Sequence, residues 1–152
     1  MTFLELLQNQ HNEILDTAFA AMKRSQLTNY EKAGDEHIHQ RLKALFVLTI
    51  RAIKERNLGP MIAHAQSVAQ ERFSAGYDLS EVQTAYNVIE ETIWVSILKH
   101  LPATEYGEAL GLVSTVLGAG KDSLARRYVS LASQTKTTSL NLQSIFSGTE
   151  GI

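Results

Sequence analysis

Residues 70–94, QERFSAGYDLSEVQTAYNVIEETIW, decide the fold class. Gly76 can take the left-handed conformation that often ends a helix, so a helix is expected to stop there. Asp78 and Glu81 then have the spacing of a capping-box variant, in which side-chain carboxylates satisfy free backbone N–H groups. Ser80 with Gln83 offers a competing register. Val82, Tyr86, Ile89, Ile93 and Ile97 follow at intervals of three and four and predict the buried face of a helix over 79–100. Trp94, the only tryptophan, is expected to pack in the core or between helices, with a pocket wall or a partner surface as the alternative.

The same periodicity extends in both directions. Leu4, Leu7, His11, Leu15, Ala18 and Met22 predict a first helix over 2–23, and 24–29 reads as a turn. Ile38, Leu42, Leu45, Thr49 and Ala52 predict a second over 35–57, with Asp35 as its cap. Asn57-Leu58-Gly59-Pro60 is a stop followed by a restart, since proline suits the first turn of a new helix. That third helix should turn Ile62, Ala65, Ala69 and Phe73 inward. Pro102 closes the fourth. A long fifth helix then starts near 103–105 and carries Tyr106, Leu110, Val113, Leu117, Leu124, Tyr128 and Leu131 on one side. The expectation is an all-α, five-helix bundle over 1–132 with a long C-terminal helix, followed by a polar tail or linker at 133–152. Leu131, Thr135, Thr138, Leu142 and Ile145 keep helical spacing into that tail. In the fifth helix Gly111, Gly118, Ala125 and Ala132 recur every seven residues, a small-residue row suited to close packing inside the bundle or across a dimer.

Composition narrows the chemistry. The 152 residues suit one domain, and 44% apolar content is enough for a core. Fourteen basic residues against sixteen acidic ones give a net charge of −2, which provides no general attraction for a nucleic-acid backbone. Without cysteine there are no disulfides, thiolate metal sites or cysteine nucleophiles. No apolar run approaches a membrane span, and the N-terminus lacks the pattern of a signal peptide, so a cytoplasmic location is expected.

The search for reactive groups finds little. His11 lies on the apolar face of the first helix, where a packed histidine is commoner than a haem or metal ligand. His37 and His39 point to different faces of a helix, His64 has no evident partner, and His100 suits a helix C-terminus. Adjacent Glu90 and Glu91 diverge by about 100° around a helix, so one can turn inward while the other meets water. Arg72 is expected to be structural, bridging to carbonyls at its helix end or to Glu81 or Glu90. No nucleophile–base arrangement, phosphate loop or metal cluster is legible, so neither an enzyme nor a cofactor or metal site is expected.

Arg72, Gly76, Leu79-Ser80-Glu81-Val82 and the amphipathic helix through Trp94 resemble the N-terminal input domain of RsbT co-antagonist proteins, the RsbRD type. His11-Asn12-Glu13-Ile14-Leu15 and residues 42–57 fit the first half of that family, and the likeness covers 3–132. It implies a helical module, globin-like in some relatives and without haem. Such modules precede effector domains in bacterial stress regulators and act by signal input, dimerisation or protein docking. The implied partners are an effector domain, another protein or a second copy, with no nucleic acid or membrane. Arg72, Gly76, Glu81, Glu90 and Trp94 are the candidate structural or regulatory residues. A ligand- or haem-binding helical sensor and a plain scaffold are the alternatives. No STAS domain follows the helices in this chain, which sets it apart from a full regulator.

Overall fold

The computed structural model describes the backbone of residues 1–147 and the side chains of residues 1–135. Its described part is all-α: α1 (Phe3–Asn9), α2 (His11–Ser25), α3 (Thr28–Ala33), α4 (Asp35–Glu55), α5 (Gly59–Ser74), α6 (Leu79–His100) and α7 (Tyr106–Ser147). A 3₁₀ turn, Ala103–Glu105, joins α6 to α7. The all-α class and the long last helix hold, but seven helices replace the expected five. Residues 148–152 of the expected tail lie outside the described residues, as do the side chains of Thr138, Leu142 and Ile145.

Two local events produce the extra helices. The expected first helix bends at Gln10 (φ −99°, ψ 15°) into α1 and α2. The bend lets Leu6 and Leu7, both fully buried, reach the core ahead of the Ile14, Ala18 and Met22 row of α2. Thr2 and Glu5 cap α1 reciprocally, at 3.1 and 3.0 Å. The second event is α3, whose Tyr30 is buried although its neighbours are polar. Asp35 does not cap α4. Gly34 holds that position at φ +96°, and the Asp35 carboxylate accepts from Lys23 Nζ at 2.9 Å.

The longer helices surround one core. Cross-links from Glu90 to Lys121 and from the Leu98 carbonyl to Tyr106 show that α6 and α7 run antiparallel. Gln70–Arg127 and Phe73–Tyr128 place α5 parallel to α7. Ring contacts His11–Phe46 and Phe19–His39 set α2 antiparallel to α4. The α6 register matches its prediction, with Val82, Tyr86, Ile89, Ile93 and Ile97 all buried. The α4 face does so as well. On α5 the buried row is Met61, Ala65, Ala69 and Arg72, so Arg72 takes the inward place expected of Phe73.

Close helix approach occurs at a glycine outside the predicted row. A Cβ on Gly120 would lie 2.9 Å from both Met61 Sδ and Tyr86 Cε2, so the missing side chain admits α5 and α6 to α7. Met61 is fully buried and Tyr86 nearly so, which leaves neither much room to yield. At Gly111 and Gly118 an added Cβ would meet nothing within 4 Å, so these two members of the heptad row mark no close approach inside the bundle. Gly120→Ala should therefore destabilise the protein by about 1–3 kcal/mol through overpacking. Gly118→Ala should instead stabilise it by up to about 1 kcal/mol through helix propensity. Urea denaturation of the two variants checks the contrast, and equal effects would contradict it.

Candidate functional site

The α5–α6 corner gathers three of the predicted residues. Its turn is made by Gly76 at φ +85°, and Tyr77 N–H reaches back to the Arg72 carbonyl at 2.9 Å. Glu81 stands in the first turn of α6, where its charge opposes the helix dipole favourably. One carboxylate oxygen accepts from Asp78 N–H at 3.3 Å and from Asn29 Nδ2 at 2.6 Å, and the other from Asn29 N–H at 3.0 Å. The cap thus also holds α3 onto the corner. That tertiary bond accounts for a helix that local propensity does not announce.

Holding α3 there brings Tyr30 edge-on to Tyr77, with ring centroids 5.2 Å apart. Tyr77 Oη accepts from Arg41 Nη1 at 2.7 Å, and Tyr128 Oη donates to the Tyr77 carbonyl at 3.0 Å. The Arg41 guanidinium lies over the Tyr30 and Tyr77 rings, and that of Arg72 over Tyr77. Burial pushes the phenols of Tyr30 and Tyr86 up, and that of Tyr128 up to about 12, with Arg72 partly offsetting each. These phenols stay protonated at neutral pH and can donate.

Beside this cluster opens a cavity of about 360 Å³ between α4, α5 and α6. Arg41, His64, Arg72 and Tyr86 belong to its polar lining, with Tyr30, His37, Gln40, Ser67 and Glu71, and Leu45, Val68 and Val82 to its apolar lining. The Arg72 side chain is 7% exposed, and its Nη1 pairs with the outward Glu71 at 2.5 Å. Neither Glu81 nor Glu90 is its partner, contrary to the two carboxylates expected from the sequence. Four buried side-chain polar atoms among the described residues have no hydrogen-bond partner, and three belong to this lining: Arg72 Nε, His64 Nδ1 and Tyr86 Oη. Such atoms each cost about 1–3 kcal/mol when left unpaired, so their convergence is informative. Burial, then the Arg72 charge, lowers the His64 pKa, which favours the neutral imidazole. A larger groove of about 440 Å³ lies near α1, but its lining includes none of the unpaired atoms.

The other two predicted residues lie further along α6. Glu90 turns inward to Lys121 at 3.4 Å while Glu91 faces solvent, which is the division their spacing predicts. Trp94 is not a core residue. It is 39% exposed and shares the outer face with Val95 and Leu98, exposed by 63% and 53%. His11 packs edge-on against Phe46, and His39 stacks on Phe19 at 3.7 Å. Among the described residues no group of three His, Asp or Glu side chains is placed to hold a metal ion. Sequence reasoning missed Tyr30, Arg41, Tyr77 and Tyr86 as one cluster, because they come from separate elements with no shared spacing.

Two expectations follow for the corner. Glu81→Ala strands the Asn29 and Asp78 N–H groups and should cost roughly 2–4 kcal/mol, with Glu81→Gln costing less, in urea denaturation. His64, facing Arg72 and Glu71, has a folded-state pKa below its unfolded value, so on acidification the unfolded chain binds more protons. Its contribution should lower stability as pH falls through the ordinary histidine range and level off below the depressed folded value. Wild type should therefore lose more stability between pH 7.5 and pH 5 than His64→Gln, and parallel profiles would exclude this origin.

No family model, curated protein or solved structure matches this chain.

Proposed function

We propose that this chain is a non-enzymatic, cytoplasmic input domain that regulates by dimerisation or by docking an effector, as RsbRD-type domains do in bacterial stress regulators. The observation that carries this reading is the division of labour along α6. Its first half supplies Glu81, Val82 and Tyr86 to the corner and cavity, while its second half presents Trp94, Val95 and Leu98 to solvent. One continuous helix therefore spans an interior site and an exposed apolar face. Apolar side chains grouped on one face are typical of surfaces that meet another protein. Covering the part of each that is still exposed would contribute about 0.5–2 kcal/mol.

Other features support the same reading. Gly118 leaves open space on α7, the helix packed beside α6, so a partner backbone can come close there. No helix among the described residues is long and apolar enough to cross a membrane.

The double variant Trp94→Glu with Leu98→Glu separates docking from folding. Sedimentation velocity of the wild type, alone and mixed with candidate effectors, should show concentration-dependent association that the variant lacks. The variant should stay folded by circular dichroism, with Trp94→Glu accounting for most of any loss in stability, because Trp94 is 39% exposed and Leu98 53%. A wild type that stays monomeric and binds no candidate, or a variant that associates equally well, would contradict the proposal.

A further inference from the structure

The cavity bounded by α4, α5 and α6 has the donors and the shape to bind a small molecule. Its lining contains two guanidinium groups, those of Arg41 and Arg72, and one carboxylate, that of Glu71. Glu71 is two-thirds exposed and occupies only Nη1 of Arg72. The Nε–H of Arg72 is buried without a partner, and with Nη2 it forms the second two-pronged edge of the guanidinium. The hydroxyl of Tyr86, a side chain 2% exposed, is likewise unpaired on the same cavity. The neutral form of His64 brings a third unpaired position. An acceptor-rich group with two oxygens in one plane would satisfy the arginine edge and accept from Tyr86 together.

The remaining walls decide what is attached to that group. Leu45, Val68, Val82 and Ala85 form an apolar patch beside the polar Tyr30, His37, Gln40 and Ser67, and that patch suits a short hydrocarbon body. A volume of about 360 Å³ lies at the small end of ligand sites, which span roughly 300–1,000 Å³. From this geometry we infer that the cavity binds a small organic monocarboxylate, its carboxylate on Arg72 and Tyr86 and its apolar portion against Val68 and Val82. Inorganic phosphate fits less well, because it cannot cover the apolar wall. The assignment is independent of docking through Trp94, since binding is measurable on the isolated chain.

Acetate, hexanoate, benzoate, the neutral isostere benzamide and inorganic phosphate are titrated into the purified full chain. Binding is followed by calorimetry and by the His64 imidazole signals in NMR. Hexanoate or benzoate should bind saturably and move His64, while benzamide and phosphate should bind at least about tenfold more weakly, the scale of losing one charge-assisted pair. Arg72→Gln should abolish the carboxylate preference. If that variant is unfolded by circular dichroism, Tyr86→Phe, which keeps the ring and removes only the hydroxyl, should still weaken binding several-fold. Absence of saturable binding by every carboxylate, equal binding of benzamide or phosphate, or unchanged affinity in Tyr86→Phe and in folded Arg72→Gln would overturn the assignment.

Discussion

One carboxylate, that of Glu81, ties α3 to the α5–α6 corner. It sits in the first turn of α6, takes hydrogen bonds from the corner's own backbone, and reaches across to the backbone and side chain of Asn29. Six residues are too few to form a helix unaided, so the short α3 depends on this link, on the burial of Tyr30, and on Tyr77 Oη, which donates to the Asn29 carbonyl at 3.3 Å. With it, Tyr30 meets Tyr77, and Tyr77 accepts from Arg41. The Tyr77 ring then carries both the Arg41 and the Arg72 guanidinium groups. A helix cap thus becomes the organiser of a cavity.

The contrast between Glu81 and Arg72 explains why the cavity is unusual. Glu81 is buried with three donors arranged around it, so its desolvation is compensated. Arg72 is equally buried but has one exposed carboxylate, the Tyr30 phenol, ring contacts and an unpaired Nε around it. An arginine serving stability alone would be expected to spread its donors over nearby carbonyls at the end of α5. Here Nε is left without a partner on a residue that lines the cavity, and the buried Tyr86 hydroxyl on the same lining is unpaired as well. Buried polar groups without a partner are few in native structures, so three on one cavity lining call for an explanation.

Much of the helical framework was legible in the sequence because it depends on local rules. The α6 row follows from spacing, Gly76 from the left-handed turn it permits, and the Asp78–Glu81 start from capping chemistry. The split of Glu90 from Glu91 follows from helix geometry. What escaped depends on tertiary geometry. The bend at Gln10 has no glycine or proline to announce it, and the apolar period runs straight through. Gly120, rather than the heptad row with Gly111 and Gly118, marks the close approach, since only packing reveals which glycine meets a neighbour. Trp94 was misplaced because its size argues for burial, whereas its position on the wheel puts it outside the Ile89–Ile93–Ile97 face. Arg72 was recognised, yet its surroundings were not, because Arg41, Tyr30 and Tyr86 converge from three other helices.

The most direct test of the Arg72 cavity is the Nε–Hε NMR signal of that arginine, assigned by its loss in Arg72→Gln and followed during titration with hexanoate. A buried donor without a partner should give a resonance protected from solvent exchange that moves downfield and saturates as the carboxylate arrives. An Arg72 signal that exchanges freely with water, or that stays fixed through the whole titration, would contradict the account.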